Sequence, residues 1–205
     1  MLGLPEQPMN SQPVRSRRSP RGIKTMGIDP SLNGTAVVAW QKELDPELYG
    51  PAGAVLEMHL TPKLTGMERL VWLREQMLAI IEGARPDVIV LEDYALGIRG
   101  KGLIGSLEFG GVLRLLLHEW SRMRNVPVWK IPPANLKQFT TGKGNADKPQ
   151  MVMACYKRWS YDPLGSSHDL ADAYALARVG HALVDPSVKT TQVERSALSK
   201  AVRLV

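Results

Sequence analysis

Residues 25–40 read Thr25-Met26-Gly27-Ile28-Asp29-Pro30-Ser31-Leu32-Asn33-Gly34-Thr35-Ala36-Val37-Val38-Ala39-Trp40: an apolar strand, a tight turn and a second apolar strand. Met26 and Ile28 alternate up to Pro30, and the apolar run resumes after Asn33-Gly34, a pair that favours chain reversal between strands. Asp29 therefore falls at the end of a buried strand. The residue before a proline is confined to the extended region, so the Asp29 carboxylate is aimed, and a fixed acid there calls for a cation. A plain hairpin uses the same turn formers, so the stretch gains chemical meaning only in company with other acids.

Those acids lie far along the chain. After a polar insertion at 41–53, residues 54–60 alternate as a third strand, and three consecutive strands imply an antiparallel meander. Thr65 and Glu68 form a candidate capping box for a helix whose Leu70, Leu73, Met77, Ile80 and Ile81 share one face, with Gly83 closing it. Residues 87–91 form an almost wholly apolar strand, fit for burial on both sides beside the first, and run straight into Glu92-Asp93-Tyr94. A glycine-rich basic loop with Arg99 and Lys101 follows.

A second helix begins at Ser106, with Leu107, Val112, Leu115, Leu116 and Trp120 apolar nearly all round, so it is either central or shared with a partner. Residues 126–131 read as a short strand whose Pro127 suggests a sheet edge. A short helix then leads through a Gly-Lys loop at Lys143 into a helix starting at Lys148 or Pro149 with Asp147 as its cap; Met151, Val152, Cys155, Tyr156 and Trp159 are expected to face inward. The last helix opens at Ser166 or Ser167. It carries Asp169 and Asp172, which at a spacing of three share one face.

The 205 residues suffice for one well-buried core, and the longest apolar run, 88–91, is far too short to cross a bilayer. Residues 1–20 lack the apolar region of a signal peptide. The single Cys155 lies in an apolar helical pattern and reads as a small buried hydrophobe, which sets aside a thiol mechanism and a zinc cluster. The formal charge of +6 suggests an acidic partner such as nucleic acid. The expected organisation is a disordered basic head at 1–22, one domain at 23–185 and a basic tail at 186–205, loosely helical or without fixed structure.

If the strands ending in Asp29 and Glu92 are neighbours and the last helix lies over them, four carboxylates converge. Such acids repel and become protonated unless divalent ions hold them, and Mg²⁺, hard and served by oxygen ligands, suits. Two such ions promote phosphodiester hydrolysis, and a polyanionic substrate agrees with the basic balance.

Gly27-Ile28-Asp29-Pro30-Ser31, Leu91-Glu92, the Lys-x4-Gly-x-Gly-x-Ala-x-Lys pattern from Lys137 through Lys148, and Asp169-x-x-Asp172-Ala173 together resemble the RuvC family of Holliday-junction resolvases, over residues 24–184. The resemblance implies an α/β RNase H-like fold: a five-stranded mixed sheet, three strands antiparallel and the others parallel, with helices on both faces. It implies a homodimer cutting opposing strands of a four-way DNA junction. It further implies Mg²⁺ or Mn²⁺ at Asp29, Glu92, Asp169 and Asp172, DNA contacts by Lys137 and Lys148 with Lys143 of the same motif as a further phosphate contact, and residues 107–120 as the dimer helix. Apart from the resemblance, the basic loop with Arg99 and Lys101 suits a polyanionic substrate and offers further DNA contacts. Tyr94 is the nearest candidate for the aromatic that stacks at the junction centre. His168 is expected to be exposed at its helix start.

The insertion, the arginine-bearing head, the basic tail and the pair Asp93-Tyr94 depart from the cellular pattern and suggest a viral or mobile-element relative. Such a protein belongs in the cytoplasm of a bacterial or phage-infected cell, or in an organelle if eukaryotic. Three rivals stand beside this reading: an actin-like sugar kinase or ATPase domain, for which the chain is short of a second phosphate loop; a non-catalytic junction-binding protein; and an RNase H-like nuclease on another nucleic acid.

Overall fold

The computed structural model describes residues 22–31, 34–42, 53–94, 102–163, 165 and 167–205; the arginine-bearing head, most of the insertion, and Arg99 and Lys101 lie outside them. Strands β1 (Lys24–Asp29), β2 (Thr35–Gln41) and β3 (Ala54–Leu60) form the expected meander, with β1 antiparallel to β2 and β2 to β3. Helix α1 (Gly66–Ala84) crosses to β4 (Val88–Glu92), which pairs parallel with β1. Both inner strands are apolar because both of their faces are covered: Met26, Ile28, Ile89 and Leu91 pack beneath the α1 layer, and Val90 lies on the opposite face.

Helix α2 (Gly102–Arg124) leads to β5 (Val128–Ile131), then α3 (Pro133–Thr141), α4 (Lys148–Trp159), α5 (His168–Val184), α6 (Gln192–Leu198) and β6 (Val202–Arg203). The sheet order is β3-β2-β1-β4-β5-β6. Among the described residues no helix is long and apolar enough to cross a membrane.

Helix α5 is the element that organises the second face. Its Ala171, Ala173, Ala175, Ala177 and Gly180 let it lie almost on the sheet. Gly27 completes the fit: a Cβ there would stand 1.9 Å from the Ala173 carbonyl oxygen and 2.5 Å from the Ala177 nitrogen. Backbone on both sides cannot yield as a side chain does. Gly27→Ala is therefore expected to destabilise the protein by on the order of 3 kcal/mol, read as a lower urea midpoint; an unchanged midpoint contradicts this seating of α5.

Several local expectations are corrected. The sheet has six strands rather than five, and β5 is not an edge. Pro127 precedes the strand, where its missing N–H costs no ladder bond, and the C-terminal residues fold back to pair Trp129 with Arg203 and Lys130 with Val202. The tail is ordered: Thr191 and Glu194 form a capping box for α6, Ala197 is buried, and Arg158 pairs with Glu194 while donating to the Phe139 and Thr140 carbonyl oxygens at 2.6 and 2.8 Å. A seven-residue helix has little stability alone, so its order comes from packing that periodicity does not report.

At α1, Thr65 has the N-cap backbone but makes no side-chain capping bond, and Arg85 in the left-handed region, not Gly83, ends the helix. Asp147 does cap α4, with a full capping box to Gln150. Tyr156, expected inside, is exposed; the inward face of α4 is carried by Met151 and Cys155. Helix α2 starts at Gly102, ahead of Ser106, and is apolar on two sides. Phe109, Leu113, Leu116, Leu117 and Trp120 are buried, whereas Ile104, Leu107, Leu115 and Met123 are exposed.

Candidate active site

Register and alternation place the acids. Ile28 pairs with Leu91, so Asp29 and Glu92 each stand one residue further on, at adjacent strand ends. Side chains alternate along a strand. A Cβ on Gly27 would point into α5, so Asp29 faces the same way; Val90 lies on that face, so Glu92 does too. Along α5, Ala173 and Ala177 lie over Gly27, while Gly180 lies over Thr25, Val88 and Val90. The N-terminal end of α5 thus overhangs the carboxyl ends of β1 and β4, bringing Asp169 and Asp172 to Asp29 and Glu92. Ser167 caps that end by accepting from the Leu170 N–H at 3.3 Å.

The charges feel one another. Burial, then Asp172 and Asp169, push the Asp29 carboxyl up to about 7, against a smaller opposing pull from Lys148. Burial, then Asp29 and Asp172, push Glu92 up to about 9, with Lys137 opposing. Asp172 rises to about 6, chiefly through burial, with Lys148 holding it down and Asp169 raising it. One of its oxygens, Oδ1, is buried without a hydrogen-bond partner. Asp169 is met instead by two nitrogen-bearing side chains: Lys148 Nζ lies 3.2 Å from Oδ1 and His59 Nε2 lies 3.6 Å from Oδ2. The hydrogen bond to Asp169 in turn raises the Lys148 ammonium above its ordinary value.

No three His, Cys, Asp or Glu side chains among the described residues are already drawn into a metal-holding group. Three of the acids, Asp29, Glu92 and Asp172, are driven toward the neutral form, and the fourth, Asp169, turns to Lys148. The donor set nevertheless fits a hard dication. It offers carboxylate oxygens on rigid elements, one buried oxygen has no partner, and the acids carry an electrostatic strain that a divalent ion relieves.

The other predicted residues divide. Lys137 on α3 is half-buried and acts electrostatically on Glu92 and Asp172, and Lys148 touches Asp169. Lys143 is exposed after α3, on the wall of a roughly 770 Å³ cavity lined also by Phe139, Met153 and Val193. Tyr94 lies against α2, its ring under the Arg114 guanidinium at 3.9 Å and pressed on Gly110. His168 is half-buried, not exposed, and its Nδ1 has no partner. Cys155 is buried, and burial pushes its thiol up to about 12.

Two residues escaped the sequence reading. His59 joins the site because Asp29 pairs with Ala36 and Ala36 with His59, one row across three strands. The alternation of β3 was the available signal, but it acquires direction only from this register. Asp93 is held by Arg114 and Lys130, each at 2.7 Å. Burial alone would raise its carboxyl; the bonds from Lys130 and the Tyr94 N–H, with Arg114, outweigh that and hold it below the usual range.

No protein-family model matches the chain. It is 31% identical over 173 residues to the crossover junction endodeoxyribonuclease RuvC of Chloroflexus aggregans, covering 82% of this chain and 97% of that protein. To the protein of the same name from Synechococcus sp. strain WH7803 it is 26% identical over 163 residues, covering 77% and 97%. Among solved structures, Thermus thermophilus RuvC in complex with a Holliday junction substrate superposes with a TM-score of 0.63 at 19% identity, over 89% of this chain and 99% of that one. A second Thermus thermophilus RuvC structure gives 0.60 at 20% identity, over 89% and 100%. These likenesses at low identity establish the fold.

Proposed function

The chain belongs to the RuvC family of crossover junction endodeoxyribonucleases, and on that premise we propose that it is a divalent-metal-dependent nuclease resolving Holliday junctions and other branched DNA by paired phosphodiester hydrolysis. The observation that carries the reading is the gathering of Asp29, Glu92, Asp169 and Asp172, from two parallel strand ends and one helix start, into a cluster whose buried members are pushed toward neutrality. Carboxyls shifted together in this way cluster at functional sites.

Asp29, Glu92, Asp169 and Asp172 would hold Mg²⁺, two ions per site with Mn²⁺ able to substitute, and the metal when bound supplies Lewis acidity toward the phosphodiester and its attacking water. Asp29 and Glu92 contribute rigidity, since each closes a buried strand. Asp169, now beside Lys148 and His59, and Asp172, with one buried oxygen lacking a partner, would supply further carboxylate oxygens to the ion. Lys148 and Lys137, at the rim, hold scissile-strand phosphates against the acids. Lys143 contacts phosphate further along an arm, and Arg99 and Lys101 are assigned the same role from sequence.

Cutting two strands of a junction requires two sites. The exposed Ile104, Leu107, Leu115 and Met123 side of α2 is the surface we assign to a homodimer.

The test is direct. Labelled four-way junction, fork, duplex and RNA–DNA hybrid are incubated with the full chain, with and without Mg²⁺. Metal-dependent, paired nicking of the junction in preference to duplex supports the reading. Cutting of the hybrid alone selects an RNase H-like nuclease on another substrate, and binding without cutting selects a junction-binding protein.

Phosphate contacts are tested by salt. Lys137→Ala or Lys148→Ala is expected to weaken junction binding and to make the dependence of log Kd on log salt shallower by about one unit per lysine. An unchanged slope means that the lysine touches no phosphate.

A further inference from the structure

Glu92 and Asp93 are neighbours in sequence at the end of β4, and successive side chains of a strand point to opposite faces. Leu91 belongs to the layer with Phe109 and Leu113 of α2, and Val90 to the layer with α5. Glu92 therefore enters the acid cluster while Asp93 turns toward α2. There its Oδ1 accepts from Arg114 Nη2 of α2 at 2.7 Å and from the Tyr94 N–H at 2.9 Å, and its Oδ2 lies 2.7 Å from Lys130 Nζ of β5. The Asp93 N–H donates to the Ile131 carbonyl oxygen at 2.9 Å.

Arg114 also covers the Tyr94 ring, which leaves no room for a side chain at Gly110: a Cβ there would stand 2.4 Å from the Tyr94 hydroxyl. The three charged side chains are shielded, at 22% exposure for Asp93, 24% for Lys130 and 27% for Arg114. Shielded, hydrogen-bonded ion pairs of this kind fix geometry far better than exposed ones, which contribute little. A carboxylate engaged on both oxygens is not free to join the metal ligands. Its place, one residue beyond Glu92, decides where the strand end points.

We propose that Asp93 is a positioning residue: through Arg114 and Lys130 it clamps the end of β4 between α2 and β5, and so presents Glu92 to the carboxylate cluster. The proposal rests on the assignment of Glu92 as a metal ligand. It ties the geometry of the metal site to α2, the helix whose exposed side is assigned above to the homodimer, so that a displacement of α2 is felt one residue from a ligand.

The test uses the purified full chain with Asp93→Ala, Asp93→Asn, Arg114→Ala and the Asp93→Ala/Arg114→Ala double variant. Mn²⁺ affinity is measured by calorimetry without DNA, and single-turnover junction cleavage is followed against Mg²⁺ concentration. Asp93→Ala is expected to weaken Mn²⁺ binding about tenfold and to raise the Mg²⁺ needed for half-maximal rate by a similar factor, with junction binding in EDTA within about twofold. Arg114→Ala shifts both in the same direction, and the double variant is no worse than the more damaging single one, because both remove one clamp. Asp93→Asn keeps the shape and the Tyr94 bond, loses less, and remains measurable if the alanine variant fails to fold. Variants whose melting temperature falls while Mn²⁺ affinity and Mg²⁺ dependence stay at wild-type values overturn the proposal. Wild-type protein that binds no Mn²⁺ overturns the metal-site reading itself, and this proposal with it.

Discussion

Asp29→Asn or Glu92→Gln is expected to reduce the rate of junction cleavage by about 10³-fold or more, about 4 kcal/mol of transition-state stabilisation, while leaving junction affinity within about twofold. Both substitutions preserve shape and burial and replace a carboxyl that can ionise onto a metal with an amide that cannot. The loss falls on the chemical step because Asp29 and Glu92 sit beneath the helix end, behind the lysines assigned to phosphate. In the proposed reading binding is carried by Lys137 and Lys148, which neither substitution replaces. A variant cutting at near the wild-type rate removes that acid from the site. A variant that loses binding in parallel with cutting shows instead that the acid supports the fold of the DNA surface.

The second large effect appears without substrate. Glu92 is raised to about 9 and Asp29 to about 7, in both cases chiefly by burial and then by neighbouring acids. A carboxyl whose folded pKa lies above its unfolded value binds more protons in the folded state. Stability from such a group is complete below the ordinary carboxylate range and is lost as pH rises from there through the folded value. The metal-free protein is therefore expected to lose stability steadily from about pH 5 to about pH 9.

Glu92→Gln abolishes that group's titration, so in EDTA at pH 8 the variant is expected to unfold at a higher urea concentration than wild type. Adding Mg²⁺ should close the gap, since the ion binds only the deprotonated acids and stabilises the form that pH strains. Urea midpoints at several pH values, with and without Mg²⁺, check this. Parallel pH profiles for the two proteins contradict the shared burial of Glu92 with Asp29.

The sheet's centre was legible because its signals are local: alternation in β1, the wholly apolar β4, and the Asp29-Pro30 stop each mark a strand end from within. Helix α5 was legible for a similar reason, since Leu170, Ala173, Leu176 and Ala177 announce close packing and the spacing of Asp169 and Asp172 puts both on one side. His59 was not, because only the β2–β3 register turns it toward Asp169. Nor were α6 and β6, whose order depends on Arg158 reaching Glu194 and on β5 offering an open edge. The edge reading of β5 failed on the position of Pro127 by one residue. The surroundings of Tyr94 were not legible either, because its sequence neighbours say nothing of Gly110 or Arg114, which meet it from α2.

The most direct trial of the central claim is anomalous diffraction from crystals of the full chain soaked in Mn²⁺. The account predicts anomalous peaks within coordination distance of Asp29, Glu92 and Asp172 oxygens, with Asp169 turned from Lys148 toward the metal. Mn²⁺ bound elsewhere at saturating concentration, with those four carboxylates untouched, contradicts it.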